Sequence, residues 1–300
     1  MSRALPLAVA LAADIGLGEL PARGHPVVVM GWLVERLAGR PTGRFGRDLA
    51  RGAVAVALPA AAAWTVGRLA EQRRHGPARY LVTVWLLKAS FSLRGLLEAG
   101  DRVARALERD DLGAARRALP WLVSRPVAGL DRAHVCSAVV ESLAENLADS
   151  YVAPLAAYAV GGLPAALAYR AINTADAMLG YRGDLEHLGK AAARLDDLVN
   201  LAPARLTAAA LALAAPAVGL SGRGAVCTAF RDGPRTASPN AGWPMAAAAG
   251  GLGVWLEKAG AYKLGDGAAP DVGHIAAARR LVAAAAALAT AAYLAWEAAR

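Results

Sequence analysis

Uncharged, alanine-rich runs separated by arginine-bearing connections leave this chain few ways to fold. Gly52–Gly67, Ser150–Tyr169, Leu206–Gly222, Thr236–Leu256 and Leu281–Trp296 contain no Asp, Glu, Lys or Arg. Their lengths fall around the roughly 20 residues a helix needs to cross a hydrocarbon core. β-Branched alternation is almost absent, so strands are not supported. Hydrophobic residues make up 56% of the 300, above the roughly 45–50% of ordinary soluble domains. Much of that excess is alanine, which suits a soluble bundle as well as a membrane one, so the uncharged runs carry the argument. We expect an all-α, polytopic integral membrane protein. It would have about five to seven embedded helical segments, some of them broken or re-entrant, in one domain over residues 1–300.

The connections refine this picture. The N-terminus has the Arg3, apolar run and Ala-Leu-Ala step of a leader peptide, but we read it as a retained first helix with Asp14 on one face. A helix should start at Pro26, in HPVVVMGWLVERL. Tyr80–Leu97 is apolar but interrupted by Lys88 and Arg94, so it spans only if they face the bundle or snorkel. Residues 101–117 predict one amphipathic helix at a surface or interface, ended by Pro120.

Net charge is +9, which favours anionic partners such as phosphorylated substrates and membrane lipid. Aromatics are few and no nucleic-acid module is present, so nucleic acid is set aside as a partner. Cys136 and Cys227 lack a CxxC neighbour. That excludes a disulfide framework or structural zinc, and both are expected to be small buried residues. Walker A, GxGxxG, GxSxG and HExxH patterns are missing.

Chemistry-bearing side chains crowd both flanks of Ser150–Tyr169. Before it, Glu141, Glu145 and Asp149 recur at i, i+4, i+8, stacking carboxylates on one helical face with Asn146 beside them. Like charges so placed repel unless a cation or arginine neutralises them. The stack suits Mg²⁺ with substrate phosphates, or is a solvent-facing acidic helix paired with arginines. After the block come Arg170, Asn173, Asp176 and Arg182, then Arg194, Asp196, Asp197, Asn200 and Arg205 in RLDDLVNLAPAR. Asp196 and Asn200 align at i, i+4, as a Mg²⁺–diphosphate site or as a capping and ion-pair cluster would. Pro154, Gly161, Gly162 and Pro164 break the block itself. Two half-helices that dip in and return would place both flanks on one face of the membrane. Ser238 and Asn240 lie in SPNAGWP, a tight turn that could form an anion nest or be only a turn. His25, before Pro26, could be a base, a ligand or a structural histidine.

Taken in order, these motifs resemble one family. They are HPV with Gly31 and Glu35, ESLAENLADSYVAPL, GGLPAALAYRAINTADAMLGYR, ARLDDLVNLAPARL, and SPNAGWP followed by AGGLGVWL. Together they are similar to the CobD/CbiB cobalamin biosynthesis proteins, the adenosylcobinamide-phosphate synthases. Gly18-Glu19-Leu20 departs from the family's Gly-Asp-Pro, and the segment with Lys258 and Lys263 is less typical.

The resemblance implies a multi-pass enzyme of the cell membrane with its active face towards the cytoplasm. It would join aminopropanol or its phosphate to the propionate carboxyl of (adenosyl)cobyric acid with Mg²⁺ and ATP; the resemblance also implies other enzymes of the B12 pathway as partners. A non-catalytic transporter or regulatory paralogue on the same scaffold is the alternative. The roles expected on this reading are assigned by chemistry. Glu141, Glu145, Asp149 and Asp196 would hold Mg²⁺, with Asp197 beside them. Arg170, Arg182, Arg194 and Arg205 would bind phosphates. Asn146, Asn173, Asn200, Ser238 and Asn240 would orient cosubstrate, corrin amides or an oxyanion. His25 or an aspartate such as Asp197 would take the amine proton.

Overall fold

The computed structural model describes residues 3–72, 76–180, 183 and 185–299. In chain order the helices are α1 (Ala4–Leu17), α2 (Pro26–Ala38), α3 (Phe45–Gln72), α4 (Pro77–Lys88), α5 (Leu93–Glu108), α6 (Leu112–Ala118) and α7 (Arg132–Leu147). They continue as α8 (Ala153–Leu179), α9 (Glu186–Val199), α10 (Leu201–Ala214), α11 (Gly222–Asp232), α12 (Gly242–Leu252) and α13 (Val272–Ala298). A small antiparallel hairpin, β1 (Leu256–Lys258) with β2 (Tyr262–Leu264), precedes α13. Helix accounts for 77% of the structure.

Among the described residues, five stretches are long and apolar enough to cross a membrane: Phe45–Gln72, Pro77–Glu108, Arg132–Leu179, Leu201–Val218 and Val272–Ala298. The chain is an all-α polytopic membrane protein. It divides into two compact units. One comprises Met1–Ser92, Ala153–Asn200 and Leu294–Arg300; the other comprises Leu93–Val152 and Leu201–Tyr293.

In the first unit, α2, α3, α8 and α9 share an apolar core of Val34, Ala38, Val56, Ile172, Leu179 and Leu188. α1 packs with α4 through a buried ion pair, where Lys88 Nζ donates to Asp14 Oδ1 at 2.8 Å and to the Phe91 carbonyl at 3.3 Å. Asp14 is 1% exposed and Lys88 2%. The run expected over Tyr80–Leu97 therefore stops at Lys88, and a new helix starts at Leu93. The Ser150–Tyr169 block is broken twice. Ala148–Val152 forms a π turn, and Gly162 leaves helical geometry at φ 70, ψ −158 two residues before Pro164. Only glycine adopts that backbone without strain.

In the second unit α11 and α12 meet backbone to backbone, because Gly224 and Gly250 each pack on the other's carbonyl. Small residues permit this approach where helices associate in an apolar medium.

Three local expectations are corrected. Residues 101–117 are not one helix: α5 ends at Glu108, Asp110 turns the chain at φ 56, and the Asp111 carboxylate caps α6 through the Ala114 N–H. Capping aspartates compete with helix continuation, which explains the stop. The β1–β2 hairpin forms where no strand was expected; three-residue strands carry too little alternation to read. Cys227 is exposed, whereas Cys136 is buried as expected.

The Asp14–Lys88 pair yields a test. Lys88→Met leaves a buried carboxylate without its cation and should cost about 3–5 kcal/mol. Asp14→Leu combined with Lys88→Met should recover most of that loss. Thermal unfolding of the purified protein in detergent measures both; equal losses in the single and double variants would contradict the pairing.

Candidate functional site

The first unit gathers a continuous polar network on α8 and α9. The apolar core seats Ile172, Ala175 and Leu179 of α8 against Leu188 and Ala192 of α9. This fixes the opposite edges of the two helices, where the polar side chains lie. Arg170 Nη1 donates to Asn173 Oδ1 at 3.3 Å, and Asn173 Nδ2 donates to Asp196 Oδ1 at 3.3 Å. Asn200 Nδ2 donates to Asp196 Oδ2 at 2.9 Å, and the Tyr169 hydroxyl donates to Asn200 Oδ1 at 3.0 Å. Asn173 and Asn200 each accept from one neighbour and donate to Asp196, so the chain orients one carboxylate with two amides. Arg170 Nε is buried and has no hydrogen-bond partner among the described residues, leaving an unused donor beside the network.

Two more carboxylates bear on Asp196. Asp176 lies within electrostatic reach of Asp196 and Asp197, and Asp197 also repels Asp196. Burial pushes the Asp196 carboxyl above its ordinary range; the Asn200 and Asn173 amides oppose this, and the Asp197 charge adds to it. Asp176 and Asp196 thus each feel like charges close by. Arg194, on α9, is exposed. Arg182 lies outside the described residues. Tyr169 was missed in the sequence, although it ends the apolar block beside Arg170.

The second unit holds the remaining candidates in two places. Glu141 is buried and fully engaged. It accepts from Ser137 Oγ at 2.6 Å and the Tyr262 hydroxyl at 2.7 Å, and pairs with Arg125 at 3.2 Å. Burial, with the neighbouring Glu141 charge, raises the Tyr262 phenol well above its ordinary range, so it stays a donor. Ser137 Oγ also accepts from the Glu257 N–H, so this carboxylate anchors the β1–β2 hairpin. Glu145 is half-buried one turn on, and Asp149 sits in the π turn, which interrupts the regular stack read from spacing. Asn146 Nδ2 donates back to the Ser142 carbonyl and hydroxyl.

Elsewhere in that unit, Arg205 donates to Asn240 Oδ1 at 2.6 Å and the Pro239 carbonyl at 3.1 Å, while its guanidinium stacks 4.8 Å from the Trp243 ring centre. Ser238 Oγ accepts from the Asn240 N–H, so SPNAGWP is a turn locked by Arg205 that leads into α12.

His25 caps α2. Its Nδ1 accepts from the Val27 N–H at 3.1 Å, and its Nε2 bonds Glu19 Oε1 at 3.0 Å. Nδ1 must therefore present its lone pair and Nε2 its proton, which leaves no nitrogen free to act as a base in this conformation. Burial alone would raise the Glu19 carboxyl, but hydrogen bonds from His25 and Ser92 and the charge of Lys88 hold it at about 2.

The model of the CobD/Cbib protein family matches residues 7–292. The chain belongs to the CobD/Cbib family. It is 41% identical over 267 residues to a cobalamin biosynthesis protein CobD of Dehalococcoides mccartyi, covering 87% of this chain and 86% of the relative. It is 42% identical over 274 residues to the protein of the same name from Geobacter metallireducens, covering 88% and 84%. A probable cobalamin biosynthesis protein CobD of Thermococcus kodakarensis is 42% identical over 269 residues, covering 88% and 85%. No solved structure matches.

The Mg²⁺ expected of this CobD/Cbib chain can be tested against the donors present. Among the described residues no three His, Cys, Asp or Glu side chains converge as a ready-made metal cage. Glu141 does not fit as a ligand, since Arg125, Ser137 and Tyr262 already engage both its oxygens. Asp176, Asp196 and Asp197 fit better: Mg²⁺ that arrives with a phosphorylated substrate needs one or two carboxylates from the protein, and three here repel one another.

Two outcomes follow for this CobD/Cbib protein. Tyr169→Phe leaves the buried Asn200 carbonyl without its donor and should cost about 1–3 kcal/mol in thermal unfolding; an unchanged melting temperature would remove Tyr169 from the network. Because the Glu19 carboxyl is depressed in the folded state, its stabilising contribution is complete above pH 4.5, its unfolded value, and is lost as pH falls towards about 2. Glu19→Gln should flatten the acid limb of the stability profile in that window and leave neutral pH less stable.

Proposed function

We propose that this protein acts in cobalamin biosynthesis as a membrane-embedded amide-forming ligase. It would join the amine of aminopropanol, or of its phosphate, to the propionate carboxyl of (adenosyl)cobyric acid. The observation that carries this reading is the match to relatives named cobalamin biosynthesis protein CobD along nearly the whole chain. The crowded Asp176–Asp196–Asp197 edge supplies a place for its chemistry.

A carboxylate and an ammonium do not condense in water without activation, so an energy source is required. In the proposed route a propionate oxygen attacks the γ-phosphorus of ATP and ADP departs, giving an acyl phosphate. The free amine then attacks the acyl carbon, the C–N bond forms, and the C–O bond breaks with loss of phosphate. Bound Mg²⁺ would neutralise the charge that builds on the transferred phosphoryl group. Arg170, with its spare Nε donor, binds phosphate oxygens in a planar fork. Asp196, held in orientation by Asn173 and Asn200, would hold the cation together with Asp176 or Asp197. Asp197 takes the proton lost by the amine, a role His25 cannot fill while it caps α2 and bonds Glu19. The active face lies towards the cytoplasm, where ATP is.

Purified protein in detergent, supplied with cobyric acid, aminopropanol phosphate and Mg-ATP, should yield the corrinoid amide by mass spectrometry together with ADP. Absence of that product from folded protein would overturn the reading. Asp197→Asn removes one of three repelling carboxylates, so its melting temperature should hold or rise while product formation falls at least about 100-fold. Retained activity would exclude Asp197 from the reaction.

A further inference from the structure

The first unit contains a cavity formed by other residues than the α8–α9 network. Its volume is about 720 Å³, within the range of roughly 300–1,000 Å³ typical of small-molecule sites. Arg3, Glu71, Arg79 and Tyr158 contribute its polar groups; Pro6 and Leu81 contribute apolar wall. These come from the start of α1, the end of α3, the start of α4 and the segment of α8 just before its break.

The cavity's chemistry is cationic and unfinished. Glu71 Oε1 accepts from the Leu163 N–H at 2.9 Å across the Gly162 break and lies near Arg3, so one carboxylate stands against two guanidinium groups and the net charge is positive. Arg3 Nη1 donates to the carbonyls of Tyr158 and Ala159 at 3.4 and 3.3 Å. A guanidinium carries five N–H donors, and among the described residues the Nε and Nη2 of Arg3 have no hydrogen-bond partner. Arg79 makes no ion pair among the described residues. Thr83, 7% exposed, adds a hydroxyl to the wall. Two guanidinium groups with spare donors, facing one cavity, match a phosphate group.

Position selects among phosphate compounds. The span Phe45–Gln72 ends, and the span Pro77–Glu108 begins, at this cavity. The end of a span lies at the level of lipid headgroups, and Leu81, 66% exposed, continues the apolar wall along α4 towards the hydrocarbon. A ligand that fits has an anionic phosphate and an apolar tail lying along the helix.

We propose that this cavity binds the headgroup of an anionic phospholipid. Arg3 and Arg79 grip the phosphodiester, and an acyl chain runs past Pro6 and Leu81. The lipid would join the break in α8 to the α3–α4 corner, through Arg3 on the Tyr158 and Ala159 carbonyls. The inference stands apart from the proposed ligase activity, because it uses none of the α8–α9 network and needs no corrinoid.

Native mass spectrometry of the delipidated full chain, titrated with phosphatidylglycerol, tests the idea. Wild type should retain the lipid, and Arg79→Gln should weaken retention about tenfold, as expected for loss of one charge-assisted fork. Arg79 makes no ion pair among the described residues, so this variant should fold; Arg3→Gln combined with Arg79→Gln should abolish retention. Equal retention by wild type and Arg79→Gln would overturn the site. Displacement of the lipid by millimolar inorganic phosphate or aminopropanol phosphate would overturn the lipid assignment and give the cavity to a soluble phosphate compound.

Discussion

A carboxylate taken into an apolar helical interior must be met by donors or cations, and this requirement shapes the structure more than any single apolar contact. Asp14 is met by Lys88. Glu141 is met by Arg125, Ser137 and Tyr262. Asp232, fully buried, is met by Arg231, Arg235 and the Gly265 N–H. Each of these ties together elements distant in sequence, so the costly groups also fix the packing. Asp176, Asp196 and Asp197 depart from this rule. They are gathered on one edge, Asp196 receives amides in place of cations, and the nearest arginine keeps a buried donor unused. Asp176 and Asp196 in addition feel the charge of Asp197, and perturbed acids gathered on one edge mark a candidate functional site.

The i, i+4 logic of α-helices made part of this legible. Asp196 and Asn200 do meet, and Asn173 is near enough on α8 to share the carboxylate. Helix-start chemistry was legible too: Pro26 and the SPNAGWP turn both lie at helix beginnings. The partners were not legible. Glu141 looked like a metal ligand because its spacing with Glu145 describes one helix face, whereas its bonds come from Arg125 and from Tyr262, 121 residues later. Spacing is a local property, and the hairpin that brings Tyr262 back is too short to announce itself. His25 was open between base, ligand and structural histidine for a similar reason: Glu19, the residue that fixes its proton, sits where the chain departs from its family's usual Gly-Asp-Pro.

The break within Ser150–Tyr169 was visible as two prolines and a glycine pair, but its consequence was not. The residue that leaves helical geometry is Gly162, and the freed Leu163 N–H is satisfied by Glu71. A backbone group released inside an apolar bundle has to be satisfied by the protein itself, so the break depends on the carboxylate at the far end of α3. The flanking acid clusters then fall in different compact units, Glu141–Asp149 in one and Asp176–Asp197 in the other. The first closes the β1–β2 hairpin through Glu141 and Ser137; on the proposed reading the second carries the chemistry.

Asn200 shows how closely those duties can be joined. It is the C-cap of α9, with its N–H on the Asp196 carbonyl, and its side chain holds the Asp196 carboxylate while accepting from Tyr169. The end of the helix and the orientation of the acid are therefore set by one residue, which is 2% exposed. Substitution there must disturb stability and site geometry together. Asp176 and Asp197 behave in the opposite sense, because their charges strain the fold around Asp196. Residues that hold the site can be retained for structure alone. Residues that strain it need another reason to be there, and under the proposed reading that reason is a cation carried in with a substrate phosphate.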